Sequence, residues 1–484
     1  VSEYKSIVSR IGLIGVTNIF IGLSSLILLP ILTKTLTIEE YGTWIQILVT
    51  LGLIPAVVML GLPYTMVRYL SSVKSRDECQ EGYYSIGTVM ALSGGLTSIA
   101  VFILVEPIAA ALFDNQIALT QVLAIIIFME CINGLQFGYF RTFQQIKKYS
   151  LLTIFKTLLQ MFLVSTIVLA GYGIFGAIIG LFITDFLLLV IMAGLIISQI
   201  GIVIPKFQHL REYLSFSLPT IPGGLSSWMV NSSDRYLIGI FLGSAFVGYY
   251  APGYTLGSLI TLFMAPLSFM LPVILSKYYD ENNLESVKTV LHYSWKYFLA
   301  LAIPSVVGLS LLSKPLLIVL TTPEIAAQSY LITPCIAFGG LLFGLYAINS
   351  QILGLKKKTS IIGIIWIFAA ALNLGLNMIF IPWIGIFGAA VTTVFAYALA
   401  FIVTMHYSFR YIFFSIDLVF ILKCILASII MGVVIVNAIS MTSISLINLI
   451  IIISVSSLTF GISLLLLKGF KKEEITFFKS IFIQ

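Results

Sequence analysis

Asn231, Asp234 and Arg235 stand at i, i+3 and i+4 inside an otherwise apolar stretch. That spacing puts all three on one face of a helix, with Ser227 one turn before Asn231. A charge in such a stretch needs a partner or a cavity, because a central Arg, Lys or Asp costs about 2.5–3.5 kcal/mol on insertion scales. The planar guanidinium forms bidentate, charge-assisted bonds, so Arg235 is a candidate phosphate- or acid-binding group. Alternatively, Asp234 and Arg235 each pair with a neighbouring helix and lock the fold. Pro219, Pro222, Gly223 and Gly224 make the entry to this helix irregular.

Two further acids, Glu130 and Asp185, fall near the middle of other apolar runs. Burial favours the protonated carboxyl, which suits a group that binds and releases H⁺ or Na⁺ during a cycle. The alternative is a protonated hydrogen-bonding group between helices. Asn133, Gln136, Asn18, Asn373 and Asn377 extend a polar track or bond between helices. Arg68 and Arg141 close apolar runs. They either rim a vestibule that draws in anions or simply anchor the helix ends. Lys423 snorkels or pairs with Asp417. Glu39 and Glu40 could hold a divalent metal in a glycosyltransferase, but no further acidic cluster or large outer domain accompanies them.

These groups require helices to position them. Of 484 residues, 60% are hydrophobic and 9% charged, against roughly 25% charged in soluble domains. That excludes a soluble fold and disorder. Apolar segments fall at about 11–33, 42–67, 83–106, 117–140, 150–171, 174–199, 216–242, 247–274, 292–313, 329–354, 360–382, 384–409, 415–438 and 444–467. Their length and continuity predict fourteen membrane helices and not the short alternating segments of a barrel. The first reads as a membrane helix and not a signal peptide, since no small-residue cleavage site follows it.

With fourteen crossings, 22 of the 26 Lys and Arg fall on the side of the two termini, and only Lys34 and Lys314 on the other. Lys156 and Lys296 are counted in the larger group. The positive-inside rule then predicts a multi-pass protein of the cytoplasmic membrane with both termini cytoplasmic. The net charge of +7 is an orientation signal, with no basic, aromatic-interleaved stripe for nucleic acid. The four cysteines and three histidines are scattered, so neither a metal site nor a disulfide framework is expected. No GxxxxGK[ST] run occurs. Residues 205–215 mix charged and apolar side chains and form either a short interfacial helix or a solvated linker.

The chain also repeats itself. Tyr172 to Ala177 matches Ile384 to Ala389, and Lys147-Lys148 and Lys356–Lys358 each precede a helix. Pro107 and Pro315, Pro63 and Pro272, and Gly42 and Gly248 recur at nearly the same offset. An even number of helices per repeat makes the repeats parallel, related by an axis along the membrane normal. The expected layout is an all-α protein with an N-lobe at 1–204, a C-lobe at 205–410, and two further helices with a tail at 411–484.

The segment Thr37 to Trp44, the stretch Asn231 to Gly243 and the following Val247 to Tyr250 resemble the polysaccharide/oligosaccharide flippases. These belong to the multidrug/oligosaccharidyl-lipid/polysaccharide exporter superfamily, and the likeness extends over nearly the whole chain. The resemblance implies translocation of a polyprenyl-(pyro)phosphate-linked oligosaccharide from the inner to the outer leaflet by alternating access, without enzymatic activity. It also implies that the last two helices can form a lipid-tail groove, although their apolar runs look like those of any membrane helix. The expected partners are the lipid-linked glycan, membrane lipids, and glycan polymerases or glycosyltransferases. No cofactor is expected beyond a coupling H⁺ or Na⁺. A cation-coupled multidrug antiporter and a non-transporting scaffold for glycan assembly stay open.

Overall fold

The computed structural model describes residues 2–55, 57–73, 75–470 and 474, with the side chains of residues 2–12, 14 and 269 left aside. Lys5, Arg10, Lys74, Lys471, Lys472 and Lys479, counted in the charge asymmetry, therefore lie outside the described side chains. The described residues form α-helices joined by short turns, with no strand. In chain order they are α1 (Ser2–Thr35), α2 (Ile38–Leu53), α3 (Leu62–Leu70), α4 (Arg76–Ile103), α5 (Val105–Leu112), α6 (Ile117–Thr142), α7 (Ile146–Ile167), α8 (Gly173–Ile200), α9 (Leu210–Ser217) and α10 (Ile221–Leu242). There follow α11 (Ser244–Ser258), α12 (Met264–Asp280), α13 (Leu284–Leu320), α14 (Pro323–Ser329), α15 (Ile332–Leu355), α16 (Thr359–Ile384), α17 (Ile386–Tyr411), α18 (Leu418–Met441) and α19 (Leu446–Leu466). Helices dominate because a chain this apolar must satisfy each backbone donor and acceptor within its own segment.

Among the described residues, eleven helical runs are long and apolar enough to cross a membrane, against the fourteen apolar segments of the sequence. The difference has three sources. The second segment is broken between α2 and α3, where Leu60 and Gly61 take positive φ. The fifth and sixth run together as one helical stretch, Ile146–Ile200, bent at Gly171 (φ 91°). The seventh, α10, carries Asp234 and Arg235 and is not among the eleven.

The repeat is visible in the turns. Gly173 (φ 54°) opens α8 and Gly385 (φ 67°) opens α17. Each left-handed glycine is followed three residues on by another that meets the preceding helix. A Cβ on Gly176 would lie 2.7 Å from Ile167 Cγ2, and one on Gly388 would overlap Phe380 O. Side chains fix other ends. Thr37 and Glu40 form a reciprocal capping box on α2, and Glu40 Oε1 also accepts from Ile174 N at 3.3 Å. The Glu39–Glu40 pair thus contributes a capping group.

By internal packing the chain divides into two units, residues 1–251 with 363–396 and residues 252–362 with 397–484. The first fully buries large side chains such as Trp44, Ile47, Leu62, Met66 and Phe140. The second packs Trp295, Phe298, Ile348, Ile352 and Phe414 together. In the first unit the segment after α8 is exposed at most positions and is tied down through its backbone. Glu81 accepts from Lys206 N (2.8 Å) and Gln208 N (3.3 Å), and α9 buries Tyr213. Burial, then the Glu212 charge, push the Tyr213 phenol above its ordinary value.

Candidate functional site

The strongest polar cluster in the first unit joins three helices. Lys156 of α7 bonds Glu130 of α6, and its Nζ lies 2.9 Å from Asp185 Oδ1 of α8. Asn133, one turn after Glu130, donates to Asp185 O (3.1 Å) and Oδ1 (3.4 Å). Gln136 continues the row with a bond to Leu189 O at 3.3 Å. Asp185 is 1% exposed and its Oδ2 has no hydrogen-bond partner. Two carboxylates around one ammonium leave one negative charge uncompensated within the trio.

Sequence reasoning singled out Glu130 and Asp185 but placed Lys156 with the basic helix ends. The structure corrects this: Lys156 lies ten residues after Ile146, the first residue of α7. The available signal was its position inside the 150–171 apolar segment. Lys296, likewise counted as a basic-side residue, is buried in α13.

A second cluster surrounds Arg235. Its Nη1 lies 2.9 Å from Asp234 Oδ1 and also bonds Asn231 O. Asp234 Oδ2 accepts from Tyr250 OH of α11 at 2.6 Å. The Arg235 guanidinium carbon is 5.7 Å from the Tyr250 ring centroid, a cation–π distance. The Asn231 side chain donates to Ser227 O at 2.6 Å. Asn231, Asp234 and Arg235 are thus brought together as the spacing predicts, while Tyr250 was not foreseen. This helix also packs on α2, through Trp228 Nε1 to Val49 O (3.3 Å) and Tyr236 OH with Thr50 Oγ1 (2.6 Å).

The other candidates disperse. Arg68 and Arg141 are exposed in the last turns of α3 and α6, and Asn18 is exposed on α1. Asn373 and Asn377 are buried and linked at 3.1 Å, and Thr392 of α17 bonds Asn377. Lys423 reaches Lys468 O at 2.9 Å, whereas Asp417 caps α18 through Phe420 N at 2.9 Å.

In the second unit, α13, α18 and α19 enclose an apolar groove of about 420 Å³. Leu301, Pro304, Gly308, Met431, Ile453 and Phe460 line it, with Ser305, Ser456 and Ser457 as minor polar members. Near its Ala300 end lies a buried pair: Lys296 Nζ contacts both Glu474 oxygens, at 2.9 and 2.7 Å.

With eleven helical runs among the described residues that are long and apolar enough to cross a membrane, the chain is a multi-pass membrane protein. It belongs to a family described as polysaccharide biosynthesis protein, whose model matches residues 31–324. The probable low-salt glycan biosynthesis flippase Agl15 of Haloferax volcanii is 24% identical over 203 residues. That match spans 42% of this chain and 43% of the relative, so the chain aligns with less than half of that protein. Among solved structures, the lipid II flippase MurJ in an inward closed conformation superposes with a TM-score of 0.75 at 19% identity. It covers 93% of this chain and 97% of that one. An inward-facing multidrug resistance MATE family transporter of the MOP superfamily gives 0.70 at 16% identity, covering 81% and 94%. The fold is therefore the one these two solved transporters share.

Proposed function

We propose that this protein moves a polyprenyl-(pyro)phosphate-linked oligosaccharide from the inner to the outer leaflet of the cytoplasmic membrane by alternating access. The observation that carries this reading is the apolar groove against α18 and α19. It offers a long hydrocarbon tail an apolar berth with few polar members. A compact drug needs no such berth. The relative from Haloferax volcanii is named for glycan biosynthesis, and the likeness to the lipid II flippase reaches further along this chain than that to the multidrug transporter. Arg235 is the group we assign to the anionic head.

The Glu130–Lys156–Asp185 cluster supplies the coupling. Lys156 sits between the carboxylates where a bound Na⁺ would stand, so the exchanged ion in this reading is H⁺, taken by a carboxylate as Lys156 turns to the other. Both termini lie on the cytoplasmic side, and glycan polymerases or glycosyltransferases are the partners.

The test is reconstitution in proteoliposomes with a defined lipid-linked sugar. Wild type should translocate it faster under a pH gradient, and Arg235→Ala should stop it while remaining folded. Efflux of cationic dyes without glycan translocation would establish the drug-antiporter alternative. Absence of both would leave a scaffold.

A further inference from the structure

We infer that Lys296 and Tyr297 form a seat for a lipid phosphate at one end of the apolar groove, and that the Glu474 carboxylate holds this seat until an anionic lipid takes it. The placement of the tail rests on the transport reading above; the seat itself rests on the following geometry.

Lys296 belongs to α13, and its side chain is 3% exposed. Both of its contacts with Glu474 are short, and Tyr297 OH donates to the same carboxylate, 3.1 Å from Oε1. Two donors from adjacent positions of one helix thus converge on a single anion. Phe420 and Phe470 stand over the ammonium, with ring centroids at 4.9 and 5.7 Å. Aromatic faces stabilise a cation while keeping water from it. A phosphate would meet the same donors as the carboxylate, with more oxygens and at least equal charge.

The seat lies one helical turn from the groove. Ala300 lines the groove and lies one turn beyond Lys296, about 6 Å along the helix. Helical side chains lean toward the helix N-terminus, so the ammonium is carried away from the apolar stretch made by Leu301, Pro304 and Gly308. A polyprenyl phosphate has that polarity, with a charged head and a tail running into hydrocarbon.

The present occupant is exchangeable on physical grounds. Glu474 follows α19, outside the runs that among the described residues are long and apolar enough to cross a membrane. A buried ion pair contributes little net stability relative to apolar packing, whereas a buried ammonium left alone is strongly unfavourable. Lys296 therefore requires an anion, and replacing one anion by another costs little. Asp417 borders the same cleft but is committed to the Phe420 amide.

The experiment measures binding of decaprenyl monophosphate and of phosphatidylglycerol to the purified full chain in detergent, by native mass spectrometry. Glu474→Gln removes the competing charge and should tighten binding on the order of tenfold, as expected when an occupant blocks most of the population. Lys296→Met in the Glu474→Gln background leaves no unpaired buried charge and should abolish the gain. A gain for decaprenyl phosphate alone identifies the carrier lipid, and an equal gain for both identifies an anionic headgroup in general. Unchanged binding in Glu474→Gln, or a gain that survives Lys296→Met, overturns the seat. Flipping is measured on the same preparations. Intact flipping without a seat removes only this inference, and a seat without flipping removes only the transport reading.

Discussion

Lys156 Nζ lies 2.9 Å from Asp185 Oδ1 and bonds Glu130 on its other side, so one ammonium ties α7 to both α6 and α8. Removing it should leave two acids close together in a membrane interior. Lys156→Met is expected to destabilise the protein by about 3–5 kcal/mol, the usual cost of breaking a buried pair from one side. Lys156→Met with Asp185→Asn should recover part of that loss, because the two carboxylates no longer repel each other and only Glu130 is left without its cation. Thermal unfolding in one detergent checks this, and additive losses would show that the two residues are not coupled.

Transport should separate the two acids from the lysine. Under the proton-coupled reading, Asp185→Asn and Glu130→Gln each abolish the response of flipping to a pH gradient. Flipping down the glycan's own gradient should persist in both. The check is initial rate with and without an imposed ΔpH, and a full response in both variants would put coupling elsewhere.

How much of this was legible beforehand depends on what each residue's neighbours are. Asn231, Asp234 and Arg235 are neighbours through helical spacing, so their clustering could be read from the chain. Glu130, Lys156 and Asp185 are neighbours only through the packing of three helices, which no local pattern encodes. Lys156 was also hidden by the nearby Lys147 and Lys148, which mark a helix end. Glu474 lies 178 residues from Lys296, and nothing in either segment points to the other. The fold was easier, because continuous apolar runs leave helices as the main solution. The number of crossings was harder to read, because α2–α3 is broken and α10 is polar.

Tyr250 gives the Arg235 cluster a test that leaves Arg235 in place. Its hydroxyl donates to Asp234 Oδ2 at 2.6 Å, and a hydrogen bond to a charged group contributes about 1.5–3 kcal/mol. Tyr250→Phe should lower stability by that amount and reduce flipping modestly. Arg235→Lys keeps the charge but loses the planar fork, so it should reduce flipping sharply with little change in Tm. Similar flipping rates in Arg235→Lys and wild type would argue against bidentate recognition of the head.

Gly42 and Gly248, counterparts in the repeat, meet where α2 crosses α11. A Cβ on Gly42 would overlap Ser244 O and lie 3.1 Å from Gly248 N, and one on Gly248 would lie 2.5 Å from Ile38 O. Backbone cannot yield as a flexible side chain does, so Gly42→Ala and Gly248→Ala should each cost about 1–3 kcal/mol. Gly95→Ala is the control, since its nearest neighbour would be 3.9 Å away. Equal Tm values for all three would mean that the crossing opens without cost.

The groove can be filled without disturbing the backbone. A Cβ on Gly308 would have only Met431 Cε within reach, at 3.8 Å, and the position opens on the groove. Gly308→Phe should therefore fold with a Tm near that of wild type while occupying the space assigned to the tail. If the tail lies there, flipping should fall more for a long polyprenyl carrier than for a short one, because the longer chain loses more buried contact at about 0.8 kcal/mol per CH₂. Flipping rates on carriers of graded length with the same sugar provide the measurement. A uniform fall across lengths would locate the tail outside the groove and leave Gly308→Phe acting on helix motion alone.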